Sequence, residues 1–423
     1  MEMRPFGALV PLETARRRLQ RAVRPIDRTE VVPVAEAFDR VAAASVRAPS
    51  PVPSFVRATW DGYAIRSRDS RSATRRAPVA LRVVGDVYAD GSLGRRLARG
   101  EAAAIATGGA LPPGADTVVI FEEVVRDGPT LRLRRPIRPG DRLALPGDDI
   151  PRGMRLARRG ELLSAADVGG IAAAGIPSVR VYARPVVTVV PNGNELSVPG
   201  APRRRGTVYE SNNATLAAVI RAGGGIPRLR PPVADDPDRI EAELRSGLAK
   251  SDLVIATGGS SVGEHDHLPR LFPRLGTLLF HGVAVRPGKP TLAARAPGGV
   301  LLGLPGHPTS CLANMLWLVL PALHRLARRP GPGWTEEWMT LGADAIAPSP
   351  GLSTVVPLAI RGGQAYSTFH GSSSITSLRG ATAFAILPPG RRTARAGARL
   401  RVCRLEPPLG SAAAAQTINP NPR

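Results

Sequence analysis

The sequence predicts an α/β protein of several domains. Its centre is a doubly wound parallel sheet, preceded by a helical N-terminal region that carries an inserted small β-domain and followed by a second small β-domain. Three observations predict this. Between Arg184 and Leu326 short apolar runs alternate with helical patterns, as they do in open sheets whose crossovers are helices. From about Val79 to Arg135 short apolar runs alternate with turns, the habit of small β-domains. Past Arg329-Pro-Gly-Pro-Gly333 helical periodicity vanishes and β-like runs persist to about Leu405. The boundaries that follow are 1–47 with 140–180 for the helical region, 48–139 for the insertion, 181–328 for the sheet domain, 334–406 for the C-terminal β-domain and 407–423 for a disordered tail poor in bulky hydrophobics.

In order, Pro11 to about Val23 is an amphipathic helix with Leu12, Ala15 and Leu19 on one face. A second helix is expected over Ala35–Ala44. The Pro-rich Ala48-Pro-Ser-Pro-Val-Pro-Ser54 cannot continue a helix and delivers Asp61 between Trp60 and Tyr63. Ser164 caps a helix that Gly175 stops. Val186 to Val190 is a strand, and Asn212 is expected to cap a helix with Leu216, Val219 and Ile220 inward. Asp236-Pro237 reads as a cap followed by a first-turn proline, with Ile240, Leu244 and Leu248 in line. Leu253–Ala256 and Leu278–Val285 are further strands, and Cys311–Leu323 is a short buried helix.

Composition narrows the function. A chain of 423 residues exceeds one core, and 43% hydrophobic content is ample for burial. The net charge of +23 rests mostly on Arg scattered along the whole chain, and aromatics are only 4%, so no nucleic-acid partner is expected while an anionic small substrate is still attracted. Cys311 and Cys403, the only cysteines, lack metal-ligand spacing. No N-terminal apolar segment or membrane span is apparent, and a soluble, cytoplasmic protein with no membrane partner is expected.

Two strand ends carry the site. Leu253–Ala256 runs into Thr257-Gly-Gly-Ser-Ser261, and Leu301–Leu304 into Pro305-Gly-His-Pro-Thr-Ser310. Glycines let backbone N–H groups approach an oxyanion, and a following helix N-terminus adds positive potential.

These stretches, with others in order, resemble the molybdopterin molybdenumtransferase family of MoeA and the gephyrin E domain. The matching blocks are Asp61-Gly-Tyr-Ala64, Thr107-Gly-Gly-Ala-Leu-Pro-Pro-Gly-Ala-Asp116, Gly147-Asp-Asp-Ile150, Gly193-Asn-Glu-Leu196, Asp235-Asp-Pro237, the run from Gly258 to Asp266, Pro287-Gly-Lys-Pro290 and Leu304 to Ser310, with a weaker Gly371-Ser-Ser-Ser374. The resemblance implies a molybdopterin-binding sheet domain. It also implies a reaction in which adenylylated molybdopterin and molybdate yield the molybdenum cofactor and AMP with Mg²⁺. An elongated homodimer in which the Asp61 loop completes a site across the interface is implied as well. Carried over to this chain, Asp266, Glu195 and Asp61 take catalytic positions, and Asp266 with Asp235 or Asp236 are metal ligands, hard oxygens suited to Mg²⁺. Asp236 serves either there or as a cap. Thr107, Ser260, Ser261, Lys289, Pro305, Ser310 and Ser372 take substrate-binding positions, Lys289 as a point charge for phosphate or molybdate.

The chain departs from the family pattern. Ala58-Thr-Trp60 precedes Asp61 where Ser-Ala-Met is usual, Ala144 stands where an Arg is usual, Asn192 and Asn194 flank Gly193 where Thr and Asp are usual, and His307 replaces an Asn. Arg142 or Arg57 would compensate for Ala144. The departures leave a second reading, a non-catalytic paralogue that stores, delivers or senses the cofactor.

Overall fold

Val186–Pro191, Leu253–Thr257 and Gly299–Leu304 are apolar on both faces, and the computed structural model lays them side by side as parallel strands buried almost throughout. Strands with no polar face must be covered on both sides. The structure describes residues 8–405 except 203, 262, 264, 265, 344–348, 370, 372, 391 and 392. The expected disordered tail, 407–423, lies outside the described residues. Contacts divide the chain into two units: Met1–Glu30, Asp39–Val41 and Tyr182–Arg423 form one, Val31–Phe38 and Ala42–Val181 the other.

The first unit is built on β1 (Val186–Pro191), α1 (Asn212–Ala222), β2 (Ile226–Leu229), α2 (Pro237–Leu248), β3 (Leu253–Thr257), α3 (Leu268–Leu275), β4 (Thr277–His281), β5 (Leu292–Ala296), β6 (Gly299–Leu304) and α4 (Pro308–Asn314). Six strands lie in the order β2-β1-β3-β6-β5-β4. Residues alternate between the faces. Val187, Val189, Ile255 and Leu302 pack with α1 (Leu216, Ile220), with Trp317 and with Leu12 and Leu19 of the N-terminal helix. Val254, Ala256 and Leu301 pack with Ile240 and Leu244 of α2 and Phe272 of α3. Full burial of such a side chain contributes about 1.5–3 kcal/mol, so the two faces together fix the sheet.

Two expectations are corrected here. The sheet is not wholly parallel: β5 pairs antiparallel with both β6 and β4, because no helix separates these strands to carry a parallel crossover. The single strand expected over Leu278–Val285 is divided. β4 ends at His281, and Val285–Arg286 instead pairs with Ser353–Thr354 of the C-terminal sheet. That six-stranded sheet is otherwise built from segments between Trp334 and Leu405 around its own core of Leu341, Leu358, Val402 and their neighbours.

The second unit holds a six-stranded sheet whose order is Thr117–Ile120, Gly62–Ile65, Glu101–Ile105, Val79–Val87, Thr130–Leu133, Val124–Asp127. Ser164 and Asp167 form a reciprocal capping box on the helix Ala165–Ala173. The helix expected over Ala35–Ala44 is a single 3₁₀ turn, Val34–Glu36. The N–H groups of Ala42 and Ala43 donate instead to the carbonyls of Glu161 and Arg180, so distant pairing displaces the i−4 bonds that a helix needs. Among the described residues no helix is long and apolar enough to cross a membrane.

Trp317 is 1% exposed within the larger core. Trp317→Ala should lower unfolding free energy by about 3–5 kcal/mol, read as a fall in the urea midpoint. A shift within 1 kcal/mol would mean that this face of the sheet is not where the stability lies.

Candidate active site

From β1 the chain passes through α1 to β2 on one side, whereas from β3 it passes through α3, β4 and β5 to β6 on the other. The carboxyl ends of β1 and β3 therefore flank the point where strand order reverses, the place where open α/β sheets bind ligands. Pairing continues past the strands. Asn192 N–H donates to Thr257 O at 2.9 Å, and Gly258 N–H donates to Leu304 O at 3.1 Å. At Gly258 (φ +90°) a Cβ would stand 2.4 Å from Asn192 O, so only glycine lets the two turns meet. Gly306 lies against the same glycine, and its carbonyl accepts from Asn212 Nδ2 at 2.9 Å. Three turns, after β1, β3 and β6, are thus locked together by backbone.

The carboxylates at this end are held by main-chain N–H groups. Asp235 Oδ2 accepts from Asn194 N–H at 3.0 Å, and Asn194 Oδ1 accepts from Asp235 N–H at 3.1 Å. Asp266 Oδ2 accepts from Gly263 N–H at 2.7 Å, turning back over its own loop. Asp236 Oδ1 accepts from the N–H groups of Asp238 and Arg239, the work of a helix cap. Glu195 is exposed beside Gly193. Among the described residues no group of three or more His, Cys, Asp or Glu side chains comes together as a metal cage.

The cationic turn Arg286–Pro290 leaves the main sheet where Val285–Arg286 joins the C-terminal one. Fully buried Asn314 of α4 grips it, Nδ2 donating to Gly288 O at 3.0 Å and Thr291 Oγ1 at 2.6 Å. A Cβ on Gly288 would strike that amide at 2.2 Å. Lys289, next along, is exposed. Pro305 and Ser310 are buried at the start of the α4 loop, Ser260 is buried and Ser261 half-buried. Thr309 donates through its hydroxyl to Ser374 O, so the 371–374 loop is tied to the same helix start; Ser372 itself lies outside the described residues.

In the second unit Asp61 Oδ1 accepts from Thr107 N–H at 2.7 Å and Thr107 Oγ1–H at 2.9 Å. These bonds hold the Asp61 carboxyl below its ordinary pKa. Thr107, expected in a substrate-binding position, spends its N–H and its hydroxyl donor on Asp61. Arg142 is tied to Glu123 at 2.6 Å, while Arg57 pairs directly across the strand from Ala144, on the face that Ala144 leaves open.

Some groups at the sheet end were not legible in the sequence. Asn212, expected as a cap, is in the first turn of α1, and the carboxylate of Glu210 accepts Asn213 N–H at 2.9 Å in its stead. Burial raises the Glu210 carboxyl despite the N–H groups of Asn213 and Asn212. Burial lowers the His281 imidazole, opposed by the Ser260 backbone and the charge of Asp266, which brings His281 to this end of the sheet. Nothing local marks these residues; only the assembled loops do.

Two outcomes follow. Asp236→Asn should leave stability within a few tenths of a kcal/mol, while Asp236→Ala should cost about 1 kcal/mol, measured by chemical unfolding; equal losses would contradict a capping role. Because Asp61 is lowered, it contributes stability present above the ordinary carboxylate range and lost as pH falls through its lowered pKa. Thr107→Val keeps the N–H bond but removes the hydroxyl, so an NMR titration of the Asp61 carboxyl should move upward toward the ordinary value. An unchanged titration would show that the hydroxyl does not hold it.

Comparison with known proteins bears directly on this geometry. Residues 10–175 match the MoeA N-terminal region (domain I and II), 188–325 match a probable molybdopterin binding domain, and 342–405 match the MoeA C-terminal region (domain IV). The chain is 32% identical over 392 residues to the molybdopterin molybdenumtransferase of Bacillus subtilis, covering 90% of this chain and 91% of that protein. It is 32% identical over 302 residues to that of a Nostoc species, covering 70% and 69%. Two crystal structures of a molybdopterin biosynthesis MoeA protein from Pyrococcus horikoshii superpose with TM-scores of 0.79 and 0.78 at 32% and 28% identity, covering 94% of this chain and 99% and 100% of theirs. With matching strand ends, loops and flanking domains along nearly its whole length, the chain belongs to the MoeA family of molybdopterin molybdenumtransferases.

Proposed function

We propose that this transferase of molybdenum cofactor biosynthesis takes adenylylated molybdopterin and molybdate, releases AMP and inserts molybdenum into the dithiolene, working as a homodimer. The observation that carries the finer reading is the convergence of oxyanion-ready turns, two loop carboxylates and a lysine turn at the carboxyl end of one sheet, around its switch point. A phosphorylated substrate needs N–H donors and a cation to bind, and its cleavage needs fixed charge beside the phosphoanhydride. Ser260 and Ser261 after β3 and Ser310 after β6 would offer the donors, and Lys289 offers a cation on a turn that Asn314 immobilises. Asp266 is held by Gly263 N–H, so that its charge is oriented before substrate arrives.

Mg²⁺ fits this donor set. It commonly takes one or two protein carboxylates and completes its shell with water and substrate phosphates, so a cage of three side chains is not required. Asp266 and Asp235 are the residues that would hold it, each with one oxygen spent on a backbone N–H. When bound, it would neutralise phosphate charge. Asn194, where an acidic residue is usual in the family, pairs reciprocally with Asp235 and so avoids two like charges facing each other across the loops.

The test is AMP release and cofactor formation by purified protein given adenylylated molybdopterin, Mg²⁺ and molybdate, with sedimentation to read the oligomer. Asp266→Asn preserves size and hydrogen bonding yet removes charge, and kcat should fall about 100-fold or more with a much smaller change in pterin binding. Turnover within threefold of the unmodified enzyme would remove Asp266 from the chemistry, and absence of turnover in the unmodified protein would remove the proposed reaction.

A further inference from the structure

The aromatic beside Asp61 stands largely outside the core. Trp60 is 60% exposed, and an indole left in water is an unspent stacking surface. Its backbone is nevertheless fixed: Thr59 N–H donates to Arg142 O at 3.0 Å on one side, and Gly62–Ile65 is paired in mid-sheet on the other. Trp60, Ile120, Asp141 and Arg142 line an open cleft of about 440 Å³ in the second unit, within the size range of small-ligand sites. Ile120 is the strand partner of Gly62 and supplies an apolar wall. Arg142 is kept in place by Glu123, which also holds Arg135. An aromatic plane, an aliphatic wall, a carboxylate and a guanidinium thus share one open cleft.

We propose that Trp60 is a specificity-determining residue that stacks on an amino-substituted bicyclic heterocycle carrying a phosphate, with Asp141 accepting from the exocyclic amine and Arg142 favouring the anionic tail. Purines and pterins share this chemistry. The inference rests on the proposed reaction, whose substrate contains both ring systems, and it names the pocket that reads one of them.

Calorimetric titration of the full-length protein with AMP, with neopterin monophosphate and with ribose 5-phosphate tests it. One ring-bearing phosphate should bind at least tenfold more tightly than ribose 5-phosphate, and which one does so identifies the ring. Trp60→Ala should weaken that binding about tenfold or more, the order of one base–aromatic stack, while Trp60→Phe retains most of it and ribose 5-phosphate is unaffected by either change. In turnover, Trp60→Ala should raise KM by a similar factor with kcat changed far less. Equal binding of the ring phosphates by Trp60→Ala and unmodified protein, or no preference for either ring over ribose 5-phosphate, overturns the inference. If ring binding depends on Trp60 but the unmodified protein makes no cofactor, the proposed reaction fails and the pocket stands; if cofactor is made and Trp60→Ala matches the unmodified protein in KM and in binding, the pocket alone fails.

Discussion

The close approach of backbone at the carboxyl end of the central sheet is the constraint on which the rest depends. Asn192, Gly258 and Gly306 come from three different crossovers, and their turns meet without intervening side chains. Because Gly258 must take a positive φ with no Cβ, the turn after β3 can reach the carbonyl of Asn192. Two further bonds follow from that contact: Asn194 is carried to Asp235, and Asn212 is carried to the loop that starts α4.

Electrostatic preparation follows the same pattern in both units. Two candidate site carboxylates are oriented by backbone donors, Asp266 by Gly263 N–H and Asp61 by Thr107 N–H. Such bonds stabilise the ionised form and cost little reorganisation when a ligand arrives. Lys289 needs a different device, since a flexible stem would blur its charge. The buried Asn314 amide supplies it, fixing the turn from beneath while Lys289 itself stays at the surface.

The departures from the family pattern become intelligible at this scale. Asn194 completes a two-way exchange with Asp235 that a second carboxylate would oppose. Ala144 faces Arg57 across a strand pair, so positive charge is retained on that face although it comes from another segment. For His307, which precedes Pro308 at the start of α4 without a side-chain capping bond, the structure offers no explanation.

The sequence by itself determined what depends on neighbours along the chain. Strand–helix alternation from Arg184 onward, the Ser164 and Asp236 caps and the amphipathic N-terminal helix are set by local periodicity and by side chains reaching their own backbone. It also marked most of the loops that assemble, because glycine, proline and carboxylate clusters are unusual compositions at strand ends. Tertiary structure alone decided the rest, since pairing partners lie far apart in sequence. It paired β5 antiparallel with β6 and β4, gave the N–H groups of Ala42 and Ala43 to distant carbonyls instead of a helix, and consigned Thr107 to Asp61. A hydrogen-bond donor shows in the sequence, but the acceptor that claims it is chosen only when the chain has folded.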